Sequence, residues 1–201
     1  MPSNPTHPAL THLLYLHGFR SSPQSAKARL MAQHMATQHP QVVWWCPQLP
    51  PSPQEAMALL MDGIKDWPHE STAVVGSSLG GFYATFVAEQ TGCKAVLLNP
   101  AVNPARDLAN HIGEQTSWHN AEERFFFKPE FVQALQRLTL TGLKQPAHYL
   151  ALITKGDEVL DWREMHARYA SANLHVLEGG DHAISDFEQH LPTVMAFLGL
   201  A

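Results

Sequence analysis

The chain has 201 residues, 45% of them hydrophobic and only 15% charged, a composition that excludes a disordered tail or a coiled coil and suits one buried core. Thirteen Lys and Arg stand against 18 Asp and Glu for a net charge of −5, and no Lys/Arg run offers a footprint for the phosphates of a nucleic acid. Protonating all 13 histidines would move that charge from −5 to +8, so its sign changes on mild acidification.

So much histidine raises the question of a metal, yet there is no His-Glu-x-x-His and no Cys-x-x-Cys to supply a ligand set, and no metal or other cofactor is expected. Cys46 and Cys93 sit in no redox motif and read as idle thiols in a reducing compartment. Met1 to Leu10 has neither a basic nor an apolar leader segment, and no apolar run approaches the roughly 18 residues of a membrane span. The reading is a cytoplasmic protein, a single domain over residues 1–201, of unspecified oligomeric state.

In chain order, Leu13 to Leu16 reads as a buried strand ending at His17-Gly18. Ser22-Pro23 reads as the entry of a helix running to about Gln38. Val42 to Cys46 is a strand closed by Pro47, and a helix is expected around Glu55 to Lys65. Thr72 to Val75 is a strand running into Gly76-Ser77-Ser78-Leu79-Gly80-Gly81, followed by a helix to about Gln90 and a strand from Lys94 to Leu98. Residues 103–145 break the alternation and read as a small helical lid, with a helix over Pro129 to Leu138 and with Phe125, Phe126 and Phe127 also on a helix. The alternation then resumes with a strand at His148 to Ile153, a helix at Trp162 to Ala170, a strand at Leu174 to Leu177 and a closing helix at Phe187 to Leu198. The class is α/β, with about six mostly parallel strands that are apolar without alternation because helices cover both faces.

Gly76-Ser77-Ser78-Leu79-Gly80 matches Gly-x-Ser-x-Gly with Ser78 at its centre, between an expected strand and an expected helix. In this composition roughly 0.04 such matches arise by chance, before that placement is required. A tight strand-to-helix turn needs small neighbours and presents the serine hydroxyl at the helix start, where an amide and the helix dipole favour a developing oxyanion. A plain glycine-rich turn or a phosphate cradle is the simpler alternative, although a Gly-Lys-Ser/Thr is absent. A serine hydroxyl needs a base and an orienting acid, and both are expected at strand ends further along the chain. Asp157 follows one strand, with Glu158 and Asp161 as rivals, and His182 follows the next, beside Asp181. His17 reads as structural, in a loop where the Phe19 amide would join that of Leu79 as an oxyanion donor. Arg20 is a candidate for an anionic substrate group or a solvated side chain, and Trp118 and Phe126 are candidates for the pocket wall.

The segments Tyr15 to Pro23, Gly76 to Phe82, Leu98 to Ala101, Gly156 to Asp161 and Gly179 to His182 together resemble the YqiA-like esterase family (UPF0227) within the α/β-hydrolase superfamily. Arg20 departs from the small polar residue, often Asn, that similar sequences carry at that place. The resemblance implies a compact α/β-hydrolase fold in which Ser78 is the nucleophile, His182 the base and Asp157 its orienter, with the Phe19 and Leu79 amides as the oxyanion hole. It also implies hydrolysis of small-molecule carboxylic esters or acyl thioesters, with short to medium acyl chains expected. An acyl-CoA thioesterase, a serine peptidase and a non-catalytic binding protein on the same scaffold are the alternatives.

Overall fold

A computed structural model describes residues 8–120 and 122–201; the leader-region reading of Met1 to Leu10 falls mostly on residues 1–7, outside the described residues. Six parallel strands form the main sheet: β1 (His12–Leu16), β2 (Val43–Trp45), β3 (Thr72–Ser77), β4 (Lys94–Leu98), β7 (Tyr149–Thr154) and β8 (Asn173–Leu177), in the spatial order β2-β1-β3-β4-β7-β8. Two short strands, β5 (Gly113–Thr116) and β6 (Arg124–Phe127), form a separate antiparallel hairpin. The helices are α1 (Ala26–Gln38), α2 (Pro53–Gly63), α3 (Leu79–Thr91), α4 (Pro104–Leu108), α5 (Pro129–Leu138), α6 (Trp162–Arg168) and α7 (Phe187–Leu198).

Successive residues of a strand face opposite sides of the sheet, and here both sides are apolar. Leu14, Leu16, Val74, Leu97, Ala151 and Ile153 pack beneath α2, α3, α5 and α6, while Leu13, Tyr15, Val75, Val96, Leu98 and Leu152 pack beneath α1 and α7. β1 is the strand from which the chain turns both ways. It pairs with β2 on one side and β3 on the other, and the helices that follow β1 and β3 lie on opposite faces. A crevice opens between diverging connections of this kind at the carboxyl ends of the strands.

Three sequence expectations need correction. The first helix begins at Ala26 rather than at Pro23. The amide of Ser25 donates to the carbonyl of Ser22 and the amide of Gln24 to the Ser22 hydroxyl, so Ser22-Pro23 makes a turn that hands the chain to the helix. The second helix, expected around Glu55 to Lys65, runs from Pro53 to Gly63, because Ser52 caps it by accepting from the Glu55 amide with Pro53 at the first turn.

The insertion at 103–145 is also not purely helical. Phe125, Phe126 and Phe127 lie on β6, paired antiparallel with Gln115, Glu114 and Gly113. A run of aromatics suits the pleated surface of a strand, where side chains alternate between faces. Phe127 is therefore 1% exposed and Phe126 57% exposed, with Phe125 turned inward beside Phe127 against the ring of Phe19. Phe127→Ala should accordingly lower the unfolding free energy by about 3–5 kcal/mol and Phe126→Ala by less than about 0.5 kcal/mol, as read from denaturant melts of the two variants. Equal losses would contradict the strand alternation.

Candidate active site

Ser78 stands at the turn between β3 and α3 with φ 57° and ψ −121°, a backbone conformation that non-glycine residues rarely adopt. Hydrogen bonds pin it from several sides. Its amide donates to the Leu98 carbonyl over 3.0 Å, and its carbonyl accepts from the amides of Gly81 at 2.9 Å and Ala101 at 3.0 Å. The turn closes only because its neighbours lack side chains: a Cβ on Gly76 would sit 2.1 Å from the Gly80 carbonyl oxygen, and one on Gly80 would sit 2.0 Å from that of Leu16.

Against the Ser78 hydroxyl lies His182, from the loop between β8 and α7. Its Nε2 is 3.0 Å from Ser78 Oγ, and its Nδ1 is 2.7 Å from Asp157 Oδ2. A carboxylate only accepts, so the ring proton belongs on Nδ1 and Nε2 is left to accept from the hydroxyl. Asp157 is itself fixed, its other oxygen accepting from the amides of Val159 and Leu160 at 2.8 Å each, and its side chain is wholly buried.

The rival acids have other tasks. Glu158 accepts from the backbone amide of His182 at 3.0 Å, and Asp161 caps α6 by accepting from the Arg163 amide. Asp181 accepts from the amide and hydroxyl of Ser185, which hold its carboxyl below the usual range.

His17 is buried and plays no part in that chain of hydrogen bonds. Its Nε2 accepts from the Leu49 amide at 3.1 Å, which leaves Nδ1–H to donate to the Gly18 carbonyl. Burial pushes its pKa below the ordinary 6.5. Arg20, with φ 60°, turns away from a free role. Its Nε donates to the Thr116 carbonyl over 2.6 Å, its guanidinium lies 4.0 Å above the Trp118 ring, and its carbonyl accepts from the Trp118 amide. It thus ties the hairpin insertion to the loop after β1.

Two cavities flank this loop. One, of about 510 Å³, is walled by Phe19, Leu49, Leu79, Tyr83 and Phe125, with Arg20, Glu123 and Arg124 also on its lining. The other, of about 630 Å³, contains Ser78, His182, Trp118, His119 and Lys27. Phe126 lines neither; the inward face of β6 presents Phe125 instead.

Asn99, in the Leu98 to Ala101 segment to which the sequence assigns no role of its own, is fully buried at the end of β4. Its amide nitrogen donates to the Thr154 hydroxyl at 2.9 Å and to the carbonyls of Asp181 at 3.1 Å and His182 at 3.3 Å, while its oxygen accepts from the Thr154 amide at 2.8 Å. It fastens the His182 loop to the sheet. The signal available was a polar residue ending an apolar strand just before a proline, in Leu98-Asn99-Pro100. Among the described residues, no cluster of three His, Cys, Asp or Glu is placed to hold a metal ion, and no helix is long and apolar enough to cross a membrane.

Asn99→Leu would leave several buried polar groups unpaired, at about 1–3 kcal/mol each. It should lower both the melting temperature and the reactivity of Ser78, and unchanged values of both would refute the fastening role. The depressed pKa of His17 means that the unfolded chain binds a proton first as pH falls. Its contribution is complete above about pH 6.5 and is lost on acidification below that. Between pH 7.5 and 5.0 the unfolding free energy should therefore fall, and by less in His17→Gln than in the wild type.

Structural comparison bears on the fold. Est1E from Butyrivibrio proteoclasticus, in a structure with ferulic acid bound, superimposes with a TM-score of 0.70 at 15% identity, over 98% of this chain and 90% of that one. A structure from the metagenome-derived lipolytic enzymes LipS and LipT gives 0.68 at 16%, over 96% and 95%. Mouse alpha/beta hydrolase domain-containing protein 10 gives 0.66 at 16%, over 93% and 90%. The fold is that of the α/β hydrolases. The model of the uncharacterised protein family UPF0227 matches residues 12–199, and the chain belongs to that family.

Proposed function

We propose that the protein is a serine hydrolase that cleaves carboxylic esters of short to medium acyl chain through an acyl-enzyme. The observation that carries this reading is the continuous hydrogen-bonded chain Asp157–His182–Ser78, with contacts of 2.7 and 3.0 Å. The structural likeness to esterases and lipolytic enzymes supports it at the level of fold.

In the proposed mechanism His182 Nε2 takes the Ser78 proton as Oγ attacks the ester carbonyl. Asp157 keeps the ring in the required tautomer and stabilises the imidazolium that forms. The tetrahedral oxyanion is received by the backbone amides of Phe19 and Leu79, neither of which donates to a protein acceptor among the described residues, and the N-terminal end of α3 adds a favourable dipole. His182 then passes its proton to the leaving alcohol as the carbonyl–oxygen bond breaks. Water, deprotonated by the same nitrogen, attacks the acyl-enzyme; the acid leaves and the proton returns to Ser78.

The two cavities divide the substrate between them. Ser78 and His182 both line the larger cavity and not the smaller, so the reacting carbonyl and the leaving oxygen lie on that side, and the leaving group stays there. The acyl chain enters the smaller one, whose walls are mostly apolar and whose volume of about 510 Å³ falls in the range of small-ligand sites.

A fluorophosphonate probe should add once to the wild type by intact mass and not at all to Ser78→Ala. Ester turnover in Ser78→Ala should fall on the order of 10⁴- to 10⁶-fold, with His182→Ala adding little on top, because the members of such a set act as one unit. Labelling of Ser78→Ala, no labelling of folded wild type, or plain additivity of the two losses would each overturn the reading.

A further inference from the structure

Lys27 is the lysine of the larger cavity, a cationic side chain that the proposed mechanism leaves unused. It stands half-buried in the first turn of α1 and lines the same cavity as Ser78 and His182. Its ammonium donates to the carbonyl of Ala183, the residue after His182. Two of its three N–H groups are left over, and it makes no ion pair among the described residues.

Neither burial nor position favours a cation here. Withdrawal from water disfavours the charge, and the N-terminal end of a helix is the positive end of its dipole. Together the surroundings bring the Lys27 pKa down to about 8, with burial as the main cause, offset in part by the charges of Asp181 and Asp157. Those carboxylates are engaged already, Asp181 by Ser185 and Asp157 by His182 and two amides. The other titratable groups lining the cavity are His182, His119, His17, Tyr15 and Glu188, the last on the exposed face of α7.

We infer that Lys27 is a specificity-determining residue that receives an anionic group, a carboxylate or a phosphate, carried by the leaving alcohol of the substrate. This rests on the ester-hydrolase reading, which places the leaving group in the cavity that Lys27 shares with His182. An anion there would complete the hydrogen bonding of the ammonium and supply the countercharge that the protein does not.

The test compares 3-acetoxybenzoate with its methyl ester, two acetates of the same shape that differ in one charge on the leaving phenol. 3-Acetoxyphenyl phosphate forms a third arm, and the anion favoured more strongly identifies the headgroup. At pH 7 the wild type should favour the charged acetates in kcat/KM by about tenfold or more, and Lys27→Met should lose that ratio. The ratio is read on a single preparation, so it does not depend on the fraction of molecules folded. At pH 9.5 the wild-type preference should fall, since Lys27 loses its proton through about pH 8, while Lys27→Arg should retain it.

A wild-type ratio near one, or an equal slowing of all three esters by Lys27→Met, would overturn the inference, the latter because it marks a residue that only positions the His182 loop. If the probe labels Ser78 and the ratio is one, this inference alone fails. If Ser78 is unreactive and none of the esters is cleaved, the ester-hydrolase reading fails and takes this inference with it.

Discussion

The arrangement depends on one strained residue. At φ 57°, Ser78 occupies backbone space that costs a non-glycine residue about 1–3 kcal/mol, and such a conformation persists only where its surroundings over-determine it. Here they do. β3 delivers the chain and β4 fixes the Ser78 amide through Leu98, while the loop beyond β4 returns through Ala101 to bind its carbonyl. Gly76 and Gly80 allow α3 to start directly against β1 and β3. The result is a hydroxyl lifted from the sheet edge at the place where the helices after β1 and β3 part.

The same edge collects the remaining groups because parallel strands all present their carboxyl ends to it. Asp157 follows β7 and His182 follows β8, while Phe19 follows β1. Coincidence at one edge is not enough for hydrogen-bond contact. Asn99 bridges β4 and β7 to the backbone at Asp181 and His182, and Glu158 holds the His182 amide from the side of Asp157. These buried and half-buried bonds determine where the imidazole stands, and so whether its two nitrogens meet an acid and a hydroxyl at once.

The insertion shapes what reaches that edge. Its helix α4 is clamped to α6 by the bidentate pair between Arg106 and Glu164. Its hairpin is tied to the loop after β1 through Arg20, Thr116 and Trp118. The Phe19 ring packs edge-on against Phe125 and Phe127, so the loop bearing the proposed oxyanion amide and the wall of the smaller cavity are one packed unit. A change in the hairpin is therefore felt at the amide as well as in the pocket.

Much of this was legible in the chain itself. Short apolar runs ended by Gly, Pro or polar residues marked the six strands, and Gly76 to Gly81 marked the elbow, because buried parallel strands and tight turns admit few residue types. Asp157 and His182 stood out as polar residues at strand ends. Within the insertion the helix at Pro129 to Leu138 was legible, whereas Phe125-Phe126-Phe127 has no period of its own and only pairing with Gly113 to Thr116 makes it a strand. Arg20 looked like a free charge, Asn99 like the mere end of a strand, and Lys27 like nothing in particular, since each takes its meaning from partners far away in sequence: Thr116, Thr154 and Ala183. Local composition and order determined the class, the strands and the elbow. Which polar groups meet, and which charge is left facing the cleft, was decided only by the tertiary structure, because burial and hydrogen-bond pairing are properties of distance in space.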